Sequence, residues 1–145
     1  MFLLSSIFQV FVQHYAELFL QSVSVLFLAI LFLQSGIDKV VDRSENLIWL
    51  KSHFSNSPLS NMVPLLFLSI TIVELLAGLA CILGVVNIIL YANTVYAVVG
   101  VALSMLAILM LFFGQRMAKD YAGAQSLVAY FVLSIITFIL LTGGF

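Results

Sequence analysis

Residues 62–115 read MVPLLFLSITIVELLAGLACILGVVNIILYANTVYAVVGVALSMLAILMLFFGQ, an apolar block in which Glu74 is the one charged residue. As a single helix it would run to roughly 80 Å, against the ~30 Å of a bilayer's hydrocarbon. The block therefore folds back as two membrane-crossing segments. Apolar and polar residues do not alternate strictly, as they would in a barrel strand, so the segments are helices. The predicted break is Gly84-Val85-Val86-Asn87, where a glycine and an asparagine punctuate the run. Spans follow at 64–84 and 88–113, the first opening on Pro64, whose missing N–H is tolerated in a first turn.

Working outward, two more uncharged stretches are long enough to cross. One is 18–37, held between Glu17 and Asp38, and the other is 122–142. Residues 1–145 thus read as a single membrane domain, an all-α four-helix transmembrane bundle. The first sixteen residues are apolar but carry Ser5, Ser6, Gln9, Gln13 and His14. They lack the basic start and small-residue cleavage site of a signal peptide. The reading preferred for them is a short N-terminal interfacial helix; the alternative is an extension of the first span. Ser44–Phe54, with Trp49 at headgroup level, reads as an amphipathic segment in the first loop.

Composition agrees. Hydrophobic residues make up 64% of the 145 and charged residues 8%, against ~45–50% and ~25% in soluble domains; mean hydropathy is +1.27. So little polar surface excludes a soluble globular enzyme and a disordered chain. A net charge of −1 supplies no basic stripe for nucleic acid. The lone Cys81 excludes an internal disulfide, a CxxC pair and a thiolate metal cluster. His14 and His53 fall on opposite faces, so no metal site is expected.

All five basic residues lie between spans one and two (Lys39, Arg43, Lys51) or between spans three and four (Arg116, Lys119). The positive-inside rule puts both loops in the cytoplasm and both termini on the outer side of a multi-pass protein. Expected partners are membrane lipid, and either other proteins or further copies of the chain.

Glu74 sits near the middle of its span, where an ionised carboxylate is expensive. No Lys or Arg is expected at its depth, since all five cluster at one face. It is either a neutral acid tying helices together or a group that binds a ligand or handles protons in a cavity. Thr71, Glu74, Gly78 and Cys81 recur at three and four residues and share a helix face. Asn93, Ala97, Gly100, Ser104 and Ala107 form a small-residue stripe on the next span. The candidate ligand-binding or proton-handling set is Glu74, Thr71, Gly78 and Ser104, with Tyr96 and Tyr130 as further donors. A second expected cluster, at the cytoplasmic face, is Lys39, Asp38 and Asp120. There Lys39 either snorkels to the interface or pairs with Asp120 or Glu45, which in the open contributes ~0–1 kcal/mol. Gln34 and Ser35 either meet Lys39 or Asp120 there or, as the preferred reading, anchor the same surface, and Cys81 is expected to behave as a small hydrophobe.

Three motifs resemble a family. Gln34-Ser35-Gly36-Ile37-Asp38-Lys39 resembles the SGxxK signature of the DoxX family. Ile72-Val73-Glu74-Leu75-Leu76-Ala77-Gly78-Leu79, followed by Ile82-Leu83-Gly84, resembles its second-helix pattern. Ala118-Lys119-Asp120-Tyr121-Ala122-Gly123-Ala124 resembles the loop before its fourth span. The resemblance covers residues 25–140. It implies a small bacterial inner-membrane protein, with relatives that include the membrane subunit of a thiosulfate:quinone oxidoreductase and proteins of envelope redox and oxidative-stress systems. The positions it carries over are Lys39 and Glu74. No intrinsic cofactor is expected, and a quinone or other lipid-like molecule is the expected ligand. Three functions are weighed: a component of a quinone-linked or envelope redox system, a non-enzymatic membrane subunit or assembly factor that docks partner proteins, or a carrier for a small or lipid-like molecule, for which four short spans suit alternating access poorly.

Overall fold

The computed structural model describes residues 2–143, with side chains from residue 8 onward. Every regular element among them is helical. Helix α1 spans Phe2–Val41, α2 Arg43–His53, α3 Val63–Tyr91, α4 Val95–Met117 and α5 Tyr121–Thr142, with a 3-10 turn at Ser60–Met62 before α3. Four of these are long and apolar enough to cross a bilayer: 34, 32, 23 and 22 residues over Phe8–Val41, Ser60–Tyr91, Val95–Met117 and Tyr121–Thr142. The chain is a multi-pass membrane protein built as a helical bundle.

Helix α3 is the hub, packing along α1 on one side and α4 on the other, with α5 completing the bundle against α4. Its inward line is Phe67, Ile70, Thr71, Glu74, Ala77, Gly78, Cys81, Gly84 and Ile88, all buried. The face shared by Thr71, Glu74, Gly78 and Cys81 is therefore the packed one. Leu65, Ile72, Leu76, Leu79, Leu83 and Ile89 point outward and are about half exposed. An apolar outside on an apolar helix suits lipid as the solvent.

The fold-back lies later than the sequence suggests. Residues 84–87 stay helical, α3 runs to Tyr91, and the turn is Ala92-Asn93-Thr94. Gly84 is a packing site and not a stop. A Cβ there would meet the Ala97 Cα at 2.6 Å, and one on Gly100 would meet the Cys81 backbone nitrogen at 2.6 Å. The small residues let the α3 and α4 backbones touch. Asn87 turns its amide onto its own helix, donating from Nδ2 to the Leu83 carbonyl at 2.9 Å. The turn is made by Ala92 in the left-handed region (φ 50°) and by Asn93, whose Oδ1 accepts from the Val95 N–H at 2.9 Å. Of the predicted α4 stripe, Ala97, Gly100, Ser104 and Ala107 are buried, while Asn93 is exposed in the turn.

The N-terminal stretch is helical and runs into the first span without a break. No glycine or proline occurs before Gly36 to end it. Side chains 8–17 are all exposed, and packing begins at Leu18 and Gln21. There Gln21 Nε2 donates to the Leu140 carbonyl at 2.9 Å. Helix α2 forms close to the expected Ser44–Phe54 range and buries no residue fully.

Candidate functional site

Two glycines bring α1 and α3 together. A Cβ on Gly36 would lie 2.7 Å from Leu75 Cδ2, and one on Gly78 would lie 2.6 Å from Leu33 Cγ and 2.9 Å from the Leu33 nitrogen. The contact sets Ser35 and Lys39, one turn apart on α1, against Glu74 on α3. Helical side chains lean toward their own N-terminus. Helix α1 ends at the basic face and α3 begins there. Lys39 therefore leans into the bundle, and Glu74 leans out to meet it.

The result is a buried polar triad. Lys39 Nζ stands 2.9 Å from Glu74 Oε2 and donates to Glu74 Oε1 at 3.1 Å and to Ser35 Oγ at 2.7 Å. Ser35 Oγ donates in turn to Glu74 Oε1 at 3.1 Å. Glu74 is 0% exposed and the Lys39 side chain 18%. The ammonium thus stands against both carboxylate oxygens.

Glu74 and Ser35 face a partly open cavity of about 130 Å³ lined also by Leu31, Phe32, Ile108, Leu111, Leu127 and Tyr130. Lys39 lines a second cavity, about 190 Å³, on the side of the basic face, walled by α2, α3 and α4. Leu111 borders both. The ion pair is thus the polar link between two mostly apolar chambers.

Of the residues singled out by sequence, Glu74 is at the centre. The others are placed differently. The Thr71 hydroxyl donates to the Phe67 carbonyl at 2.7 Å and that of Ser104 to the Gly100 carbonyl at 2.8 Å. Both hydroxyls are thus bound to their own helix. Gly78 acts as the spacer against α1. Tyr130 lines the Glu74 cavity, whereas Tyr96 is half exposed. Cys81 is fully buried, with Sγ 3.9 Å from Ser104 Oγ.

The expected Lys39–Asp38–Asp120 cluster does not assemble. Lys39 turns inward, Asp38 stays exposed, and Asp120 caps α5 by accepting from the Gly123 N–H at 2.8 Å. Asp120 also lies 3.8 Å from His53 Nε2. The expectation that no basic residue reaches the depth of Glu74 is overturned by the 2.9 Å pair with Lys39. The contact of Ser35 with Lys39 was among the sequence expectations; the signals that could have joined both to Glu74 were their i, i+4 spacing and the opposite running directions of α1 and α3.

Comparisons with protein-family models, with curated proteins and with solved structures return no match.

Proposed function

We propose that this chain is a DoxX-like protein of the bacterial cytoplasmic membrane and a component of a quinone-linked or envelope redox system. In this reading Glu74, held by Lys39 and Ser35, binds the polar end of a lipid-soluble ligand and exchanges protons with it. The supporting observation is a fully buried carboxylate, paired with Lys39 and bonded to Ser35, set on the wall of a mostly apolar cavity. The cavity volume, about 130 Å³, is close to the ~150 Å³ that takes up a benzene ring. Reducing a quinone to a quinol takes two electrons and two protons. The protonated Glu74 carboxyl gives one of these protons to a quinone oxygen, the second comes from solvent, and the electrons come from a partner protein; in the reverse direction the carboxylate accepts the proton of a quinol hydroxyl. The basic loops face the cytoplasm and the termini the outer side.

Titration of the purified protein in detergent with a short-tailed benzoquinol, kept reduced, tests this, because its hydroxyl donates to the ionised carboxylate. Losing a charge-assisted hydrogen bond removes about 1.5–3 kcal/mol, so Glu74→Gln should weaken binding roughly tenfold or more. Equal affinity in wild type and variant would contradict the reading.

The second reading, a membrane subunit that docks partners, is favoured by one separate feature. Phe8, Phe11 and Tyr15 stand exposed on the stretch of α1 that precedes the bundle contacts. It predicts a stable partner that co-purifies with the chain and is lost on Phe8→Ser/Phe11→Ser substitution.

A further inference from the structure

The second cavity has a lining of its own kind. Its walls include five aromatic rings, Trp49, His53, Phe54, Phe67 and Phe113, around a volume of about 190 Å³. Trp49 and His53 are stacked, with centroids 4.6 Å apart and planes 16° apart, and Phe54 stands edge-on to His53 at 5.4 Å. Its polar groups able to donate are the Trp49 indole N–H, His53 and the Gln115 amide, the Lys39 ammonium being engaged by Ser35 and Glu74, with no carboxylate in the described lining. Helix α2 covers the space without burying any residue of its own. His53 Nε2, 3.3 Å from Gln115 Oε1, ties its end to α4. Trp49, Leu50 and His53 of α2 look onto this partly open space.

We infer that this chamber beneath α2 is a second binding station, for a flat, neutral ring bearing hydrogen-bond acceptors, standing between the basic membrane face and the Glu74 cavity. Aromatic walls suit a flat ring better than a saturated chain, because stacked and edge-on contacts add to simple burial. The donors suit carbonyl oxygens. Lys39 belongs to the lining of this chamber and is bonded to Glu74 in the other, so a ring here touches the same triad from the opposite side. The inference shares its ligand class with the function proposed for the Glu74 cavity, and the experiment separates the two.

Trp49 is the single tryptophan of the chain and lines only this chamber, so its fluorescence reports occupancy here. Menadione, a flat tailless quinone, is titrated into the full-length protein in detergent. The wild type should show saturable quenching of Trp49, with two menadione bound per chain by equilibrium dialysis. Gly114 lies on the wall, and a Cβ there meets Phe54 Cζ at an ordinary 3.5 Å, so Gly114→Leu grows into the void. That variant should lose saturable quenching and bind one menadione. Phe54→Ala, which removes a wall without adding bulk, should raise the quenching midpoint about tenfold. Glu74→Gln should keep the quenching and lose the other menadione. Unsaturable quenching in the wild type, or one midpoint shared by the wild type, Gly114→Leu and Phe54→Ala, would overturn the second station. If instead dialysis shows one menadione in the wild type, lost in Gly114→Leu and kept in Glu74→Gln, the second station stands and the Glu74 reading fails.

Discussion

Lys39 and Glu74 neutralise each other in a place where neither is tolerated alone. Removing one partner of a buried pair leaves an uncompensated charge, typically at about 3–5 kcal/mol, whereas replacing both by apolar groups is often neutral. Lys39→Met and Glu74→Leu should each lower unfolding stability in micelles by several kcal/mol. The double variant should be more stable than either single one. Additive losses would mean that the pair is not coupled. At this scale the sequence made Glu74 conspicuous, as the one charge in a long apolar block. Its partner stayed hidden because depth was judged from position along the chain. A lysine at the end of one helix and a glutamate about two-fifths of the way along its neighbour differ in backbone depth. The lean of helical side chains in opposite directions closes that gap. Thr71 and Ser104 share the buried face, and each hydroxyl is taken by the carbonyl four residues back, as hydroxyls in a helix readily are.

Among the elements, glycines set the spacing on which the site depends. Gly84→Ala and Gly100→Ala drive a methyl into backbone atoms at 2.6 Å and should each lose about 1–3 kcal/mol by overpacking. Gly36→Ala meets the end of the Leu75 side chain. That side chain can move, and the gain of about 1 kcal/mol in helix propensity offsets part of the clash. Ranking the three variants by thermal unfolding in detergent checks this, and equal losses at Gly36 and Gly100 would contradict it. Helix type and number were legible in the apolar runs, and α5 began within one residue of its expected start. The α3–α4 turn was not. Gly84 and Asn87 carry the composition of a break, yet one is used for close packing and the other is bonded within its own helix. The operative signal, Asn93 two residues before Val95, is weaker and sits beside an alanine in a left-handed conformation.

For the molecule as a whole, the apolar outer surface requires lipid around it, and the placement of charge orients it. All five basic residues stand at one end of the bundle. Reporter fusions at residue 145 should be active only on the outer side of the membrane, and fusions in the 55–58 loop only in the cytoplasm; the reverse pattern would contradict the orientation. At 40 residues, α1 is roughly 60 Å long, about twice the hydrocarbon thickness. Its early part therefore leaves the bilayer or tilts within it. The same length explains why the sequence reading divided it into an interfacial helix and a span.

The account turns on whether a lipid-soluble ring sits against Glu74. Photolabelling the protein in nanodiscs with an azidobenzoquinone, followed by peptide mapping, tests this most directly. The predicted result is label on the segments carrying Leu31–Ser35 and Leu127–Tyr130, competed by unlabelled quinone and sharply reduced by Glu74→Gln. Label spread over lipid-facing positions such as Leu79 and Ile89, indifferent to competitor and to Glu74→Gln, would contradict it.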